Sequence, residues 1–219
     1  MDSRLYDLLM RLPVLCLSLW MGWHETASLR LYVIVHPFYG GDLPFLAGLL
    51  ARLGVLVFLG FLLSFHVMRL KPLRKYEAWR PKLVALAGVS LIYLVPLLPR
   101  AKPDYVLDFA ASLFTLTGSY LCLISISSLG RSISVMPEAR ALVTSGLYSR
   151  IRHPLYLSEF VAMIGLFLEF RSWQAALILA AVFFFQVKRM DWEEKILAEA
   201  FPEYSAYRLK TWRLLPGVY

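Results

Sequence analysis

Uncharged apolar runs about as long as a bilayer is thick are distributed along the whole chain, and they constrain its fold more than any other feature. A membrane-spanning helix needs about 20 mostly apolar residues. The sequence of 219 residues contains six such runs, at approximately 5–23, 43–68, 83–98, 105–129, 154–170 and 173–187. Lipid cannot satisfy an open backbone, and the runs lack the alternation of barrel strands. We therefore expect an all-α, polytopic transmembrane helical bundle.

The composition agrees with this assignment. Hydrophobic residues make up 59% of the chain and charged residues only 17%, whereas soluble domains are about 25% charged. The first run is interrupted by Arg11 and Pro13. A shorter apolar segment at 31–39 is expected to lie along the interface or to re-enter the membrane. Because only Arg171 and Ser172 separate the fifth and sixth runs, these are expected to form a tight antiparallel hairpin.

The basic residues predict the orientation. With six helices, both termini lie on one side of the membrane, and 18 of the 23 Lys and Arg residues fall on that side. Such an excess is typical of cytoplasmic segments, so we expect cytoplasmic termini in a bacterial inner membrane or the endoplasmic reticulum. This placement also explains the net charge of +8, and we expect no nucleic-acid partner. Cys16 and Cys122 lie in apolar runs and indicate no disulfide or metal site.

Polar and aromatic residues crowd near the membrane after residue 129. His153 precedes Pro154, which is typical of the first position of a helix, and the amides of such a helix end favour an anion. Tyr156 follows one turn later, on or near the same face. Interfacial anchoring explains these residues equally well, since aromatic and basic side chains often lie at that depth.

Two further features lie on the same predicted side. Gly146 offers a turn at which the backbone can approach a ligand, or an ordinary loop turn. Arg189 and Glu193 are four residues apart and share a helix face. They form either a surface ion pair or a functional pair, because ionisable groups next to an apolar run are functional candidates. An arginine can bind a carboxylate or a phosphate through two hydrogen bonds.

Together these stretches resemble a known family. The sequence Leu142-Val-Thr-Ser-Gly-Leu-Tyr148 precedes Arg152-His-Pro-Leu-Tyr156, and the Glu193-Glu194 pair follows one helical hairpin later, before an aromatic tail that ends near Pro216. This order resembles the isoprenylcysteine carboxyl methyltransferase family, which is related to the phospholipid methyltransferases. The resemblance covers about the last 90 residues. Two departures are Pro202, where a glycine is usual, and Ser158-Glu159, where a glycine is common.

The resemblance implies an integral membrane methyltransferase that uses S-adenosyl-L-methionine. The acceptor would be a lipophilic small molecule or lipid that enters from the bilayer, and the active site would face the cytoplasm. Residues 1–129 would then be a scaffold of transmembrane helices, and residues 130–219 the cofactor-binding catalytic region. That region includes the last two transmembrane helices together with a cytoplasmic helix and tail.

Residue roles also follow from the resemblance. Arg189 and Glu193 would be catalytic, with Arg189 facing the acceptor, and no metal is implied. The cofactor would be bound by Arg140, Leu142, Val143, Tyr148, His153, Pro154, Tyr156 and Glu193.

The acceptor and the reaction class have alternatives. A carboxylate of the isoprenylcysteine type needs no general base, whereas for a phospholipid amine Glu193 or His153 becomes the candidate base. Membrane sterol reductases, which use NADPH, also carry an Arg-His-Pro motif and a tail similar to Arg213-Leu-Leu-Pro216. A non-catalytic lipid-binding or scaffold protein would explain the helices, but not the clustered polar residues.

Overall fold

The computed structural model describes residues 3–35 and 42–218, and this part of the chain is mainly helical. Two-residue strands, β1 (Arg74–Lys75) and β2 (Glu138–Ala139), pair antiparallel. The helices are α1 (Ser3–Val35), α2 (Leu43–Met68), α3 (Trp79–Ser90), α4 (Tyr105–Leu129), α5 (Pro154–Phe170), α6 (Trp173–Ala200) and α7 (Tyr204–Lys210). The predicted all-α class is confirmed.

Within the described residues, four helices are long and apolar enough to cross a bilayer. They are Leu43–Met68, Trp79–Leu97, Tyr105–Ser132 and Trp173–Ala200. The chain is therefore an integral membrane protein. The other two predicted runs are also helical but are not among these four: α5 has only 17 residues, and α1 is a helix of 33 residues with Pro13 inside it. The prediction of a separate interfacial segment at 31–39 is wrong for residues 31–35, because Leu31 to Val35 continue α1. Residues 36–39 lie outside the described residues.

The ends of two other helices also differ from the prediction. The third run becomes 3-10 helix from Leu91 to Leu97, a stretch that contains Pro96. The sixth helix does not end near residue 187 but continues to Ala200. Its added segment contains no glycine or proline and is rich in good helix formers, so the helix persists until Pro202. Arg189 and Glu193 therefore lie inside one continuous helix.

The predicted hairpin between α5 and α6 is confirmed. Arg171 ends α5 in the left-handed conformation, with φ of 42°. Its guanidinium donates to Asp108 Oδ1 on α4 at 2.8 Å, which ties the turn to a neighbouring helix. Ser172 then caps α6, its hydroxyl accepting from the Ala175 amide at 3.2 Å.

Helices α4 and α5 approach closely through small residues. A Cβ added to Gly118 would lie 2.6 Å from the Ala162 amide nitrogen, and one added to Gly165 would lie 2.7 Å from the Ala111 carbonyl oxygen. Small residues permit such backbone contact between membrane helices. The close packing holds the start of α5 against the loop that follows α4.

The loops after α2 and α4 join at this same end of the bundle, here called the pocket end. The Leu70 amide donates to the Arg131 carbonyl and the Leu73 amide donates to the Ala139 carbonyl, both at 2.8 Å. The β1–β2 pair continues this contact. The beginning of α5 and the polar half of α6 therefore face an ordered layer of loops.

Candidate active site

The segment before α5 is paired with the C-terminal tail. The amides of Arg152 and His153 donate to the carbonyls of Trp212 and Arg213 at 2.8 and 3.1 Å, and the Trp212 amide donates back to the Arg150 carbonyl at 3.0 Å. Ile151 and Trp212 form a parallel bridge. The backbone donors of the Arg-His-Pro motif are thus satisfied by the tail, which fixes the point at which α5 begins.

Glu194 is the centre of the ion-pair network that holds this arrangement. Its Oε1 accepts from Arg152 Nε at 2.9 Å and lies 3.1 Å from His153 Nε2 and 3.3 Å from Arg213 Nε. The Arg152 guanidinium also donates to the carbonyls of Arg208 and Thr211. One carboxylate on α6 therefore joins the motif before α5 to the tail. The predicted site did not include Glu194.

Glu193, one residue earlier, faces the interior. Its Oε1 accepts from the Tyr156 hydroxyl at 2.5 Å and from Arg189 Nε at 3.1 Å. The Arg189 guanidinium carbon lies 5.1 Å from the centroid of the Tyr156 ring, within the range of a cation–π contact. Arg189 is only 6% exposed. The pair predicted from its four-residue spacing is therefore a buried pair, not a surface one.

The loop between α4 and α5 covers this pair. Arg189 Nη2 donates to the Ser134 carbonyl at 2.9 Å, and the Ser134 hydroxyl donates to Glu138 Oε2 at 3.1 Å. Arg140 Nη2 is 2.5 Å from the same Glu138 oxygen, in a pair whose side chains are 0% and 1% exposed. Arg140 therefore anchors the loop through Glu138.

A pocket with several charged and hydroxyl side chains in its wall, here called the polar pocket, lies between these elements, and eight of the nine predicted site residues line it. They are Arg140, Leu142, Val143, Tyr148, His153, Tyr156, Arg189 and Glu193. The ninth, Pro154, is buried as the first residue of α5 and does not line the pocket. The structure thus brings the predicted residues together, including two from α6 that are far from the others in sequence.

Three tyrosines close the pocket on the side of the tail. The Tyr207 hydroxyl donates to the Tyr148 carbonyl at 2.7 Å. Burial raises the pKa of Tyr207 to about 12 and that of Tyr148 well above its usual value, so both remain neutral donors. Tyr204 is 2% exposed and its hydroxyl contacts no partner among the described residues. Tyr204 and Tyr207 lie in the aromatic tail, but they were not among the predicted site residues.

A second, larger cavity of about 760 Å³ lies within the helical bundle. All six long helices contribute to its wall, which is mainly apolar. Four residues line both this cavity and the polar pocket, namely Ile133, Ser134, Leu155 and Arg189. The two spaces therefore adjoin at the buried guanidinium of Arg189.

A chain of polar side chains continues from Arg189 into the larger cavity. Arg189 Nη1 donates to Gln186 Oε1 at 3.4 Å, and Gln186 Nε2 donates to Glu159 Oε2 at 2.7 Å. Glu159 and Gln186 both line the large cavity. Glu159 was not among the predicted site residues and was noted only because a glycine is common at Ser158-Glu159 in the family. An acidic residue inside an apolar run was the signal that could have identified it.

The described residues contain no group of three or more His, Cys, Asp or Glu side chains placed to hold a metal ion. The cluster around Glu194 is instead balanced by guanidinium groups, with Arg213 also pairing to Asp191 at 2.5 Å.

Comparison with known proteins agrees with this geometry. Residues 107–204 match the model of the phospholipid methyltransferase family. The matched region begins in α4 and ends at the first residue of α7, so it includes the Arg-His-Pro motif and the whole of α6. The resemblance to this group of membrane methyltransferases, predicted from the sequence, is confirmed.

Two curated proteins are similar over a shorter region. The cobalt-zinc-cadmium resistance protein CzcN of Cupriavidus metallidurans is 37% identical over 76 residues, which are 34% of this chain and 35% of that protein. The nickel-cobalt-cadmium resistance protein NccN of Alcaligenes xylosoxydans xylosoxydans is 38% identical over 80 residues, which are 36% of this chain and 38% of that protein. The chain thus matches less than two fifths of the length of either relative.

Proposed function

We propose that this chain, whose residues 107–204 match the model of the phospholipid methyltransferase family, transfers a methyl group from S-adenosyl-L-methionine to a lipophilic acceptor that enters from the bilayer. The polar pocket would bind the cofactor and the large cavity the acceptor. The observation that carries this assignment is that the two spaces adjoin at Arg189. Methyl transfer from a sulfonium needs cofactor and acceptor to meet in line, and such positioning supplies much of the catalysis.

The side chains around the polar pocket fit this cofactor. Its ammonium and sulfonium groups are cationic, and its base is aromatic. The pocket offers the Glu193 carboxylate and the rings of Tyr148 and Tyr156, and the buried Tyr204 hydroxyl has no protein partner among the described residues. Arg140 and His153, which also line the pocket, supply groups suited to a carboxylate. Bound cofactor would supply an electrophilic methyl group.

The protein's own residues would position the reactants. Tyr156 and Arg189 both donate to Glu193 and so fix its carboxylate. Arg189 also donates to the Ser134 carbonyl, which keeps the guanidinium at the junction. The loop between α4 and α5 and the paired tail would exclude water from the methyl group. From the distribution of basic residues, we propose that the pocket end faces the cytoplasm.

The acceptor cavity suits a molecule with an apolar body and a small polar head. Its wall runs along α5 from Leu155 to Glu169, a separation of 14 residues, or about 21 Å at the helical rise. A prenylated cysteine carboxylate and a lipid amine both have this form.

Binding of S-adenosylhomocysteine to the purified protein in detergent, measured by calorimetry, tests the cofactor assignment. Replacing Glu193 with alanine removes a charged acceptor worth about 1.5–3 kcal/mol, so we expect the affinity to fall about tenfold to a hundredfold. Lys195→Ala, an exposed change on the same helix, should bind normally. Tight NADPH binding without a response to S-adenosylhomocysteine would instead support a reductase.

Turnover is tested with radiolabelled S-adenosyl-L-methionine and lipid extracts, followed by separation of the labelled product. Extracts that contain prenylated cysteine and extracts that contain lipid amines are assayed separately. We expect label in the lipid phase with the wild-type protein and its loss in Arg189→Ala. Full turnover by Arg189→Ala would contradict the residue assignment, and no label with any extract would contradict methyl transfer.

A further inference from the structure

Glu159 is a carboxylate at membrane depth without a cationic contact. It lies in α5 three residues beyond Tyr156, which places it about one turn deeper on a neighbouring part of the same face. No ion pair to Glu159 is formed by the described residues, and its one hydrogen bond comes from the neutral amide of Gln186. Ionisable groups at such depth are costly and mark functional positions. Its setting therefore calls for a charged or hydrogen-bonding partner that the described residues do not supply.

The position of Glu159 is suited to an acceptor. Glu159 lines the large cavity, and Gln186 orients it by donating to Oε2 at 2.7 Å. Gln186 in turn accepts from Arg189 at the junction with the polar pocket. The head of a molecule in the cavity, placed beside Arg189 to reach the methyl group, would therefore lie within reach of the Glu159 carboxylate.

The charges at the junction disfavour an anionic head. Two carboxylates share one nearby guanidinium, because Glu193 pairs with Arg189 at 3.1 Å and Glu159 is linked to the same Arg189 through Gln186. Each of the three Arg189 nitrogens already donates, to Glu193, Gln186 and the Ser134 carbonyl. A carboxylate acceptor would add a third negative charge beside a single cation, three of whose five N–H groups already donate. A head that donates a hydrogen bond would instead satisfy Glu159.

We propose that Glu159, oriented by Gln186, binds the acceptor and selects one that carries a proton on the methyl-accepting atom, such as an amine. This inference rests on the proposed methyl transfer and names its substrate class. As the acceptor atom bonds to the methyl carbon, the carbon–sulfur bond breaks and its electron pair stays on sulfur. The acceptor proton passes to the Glu159 carboxylate. The positive charge of the sulfonium and the negative charge of Glu159 are lost together, so the step balances.

The test uses two probes with one tail and different heads, dodecylamine and dodecanoate, with the full-length protein in lipid nanodiscs. Methylation is measured from labelled S-adenosyl-L-methionine, and probe binding from thermal stabilisation in the presence of S-adenosylhomocysteine. General-base contributions are about a hundredfold to ten-thousandfold. We expect Glu159→Gln to lower kcat for dodecylamine at least a hundredfold and to weaken its binding. The exposed α6 variant Glu199→Gln, the same chemical change away from the cavity, is the matched control.

The outcomes separate this inference from the proposed function. Unchanged S-adenosylhomocysteine affinity in Glu159→Gln shows that the variant folds, and a specific loss with the amine supports the proposal. Gln186→Leu, which removes the orienting amide, should raise KM for dodecylamine. Three results would overturn the role of Glu159 while leaving methyl transfer intact. They are a preference of the wild type for dodecanoate, binding of neither probe, and full turnover of dodecylamine by Glu159→Gln. Failure to bind S-adenosylhomocysteine would overturn the proposed function itself.

Discussion

Replacing Glu194 with alanine should detach the tail from the start of α5. This carboxylate contacts Arg152, His153 and Arg213, and its side chain is only 11% exposed. Removing one partner of a buried pair costs about 3–5 kcal/mol, because the other charge is left without compensation. Arg152 keeps the carbonyls of Arg208 and Thr211, and Arg213 keeps Asp191. We therefore place the loss at the low end, about 3 kcal/mol.

The assay is thermal unfolding of the purified protein in detergent. For chains of 150–250 residues, 1 kcal/mol corresponds to about 2–4 °C, so the expected decrease in Tm is about 6–12 °C. The tail also closes the polar pocket, so the affinity for S-adenosylhomocysteine should fall with it. Lys195→Ala, the exposed neighbour on α6, controls for the truncation of a charged side chain on this helix.

A double-mutant cycle isolates the ion pair from other effects of truncation. Glu194→Gln and Arg152→Met are measured singly and together, and the coupling should be about 1.5–3 kcal/mol, as for hydrogen bonds to charged groups. A Tm for Glu194→Ala within about 1 °C of the Lys195→Ala control, or a coupling near zero, would refute the role assigned to this network.

Three other changes test separate features. Tyr156→Phe removes the hydroxyl that donates to Glu193 at 2.5 Å, so calorimetry should show about tenfold weaker binding of S-adenosylhomocysteine, the equivalent of about 1.4 kcal/mol; unchanged binding would contradict the positioning role. Gly118→Ala places a Cβ 2.6 Å from the Ala162 amide nitrogen, whereas the Cβ of Gly60→Ala meets nothing within 4 Å. Thermal unfolding should therefore show a decrease of about 1–3 kcal/mol in the free energy of unfolding for Gly118→Ala and none for Gly60→Ala. The pKa of Tyr207 is raised from 10.0 to about 12, so its contribution to the free energy of unfolding is present below pH 10 and is lost as pH rises toward 12. Tyr207→Phe should therefore lose less stability than the wild type between pH 10 and 12. Equal losses in the two proteins would contradict the assignment.

The helices were predictable because their signals are local. Apolar runs of bilayer length identified all six long helices, and the two-residue separation at Arg171 and Ser172 predicted the hairpin. The end of α6 was placed too early because the prediction followed hydropathy, which falls after Val187, whereas the backbone follows helix propensity to Ala200. Hydropathy determines how much of a helix lies in the membrane, whereas helix propensity determines where the helix ends, so the first does not predict the second.

The site was predictable only where its residues carry a recognisable order. The Arg-His-Pro motif and the Glu193-Glu194 pair identified most of the polar pocket. Motif order does not show which carboxylate faces which partner, and so Glu194 was not assigned its structural role. The Glu138–Arg140 pair depends on the fold of the loop after α4, and the Glu159–Gln186 contact joins two helices. Neither a loop conformation nor a contact between two helices leaves a spacing pattern in the sequence.

The large cavity adds a feature to the first 129 residues, which were predicted to be a scaffold. Helices α1, α2 and α4 form much of the wall around the space that adjoins Arg189. A purely structural scaffold would fill this space with apolar side chains, because unfilled space in a packed core is destabilising. Here the space is kept open and reaches polar groups, among them Glu159 and Arg189. In the proposed methyl transfer, the N-terminal helices would therefore limit the size of the acceptor, and the residues at the junction would position its head.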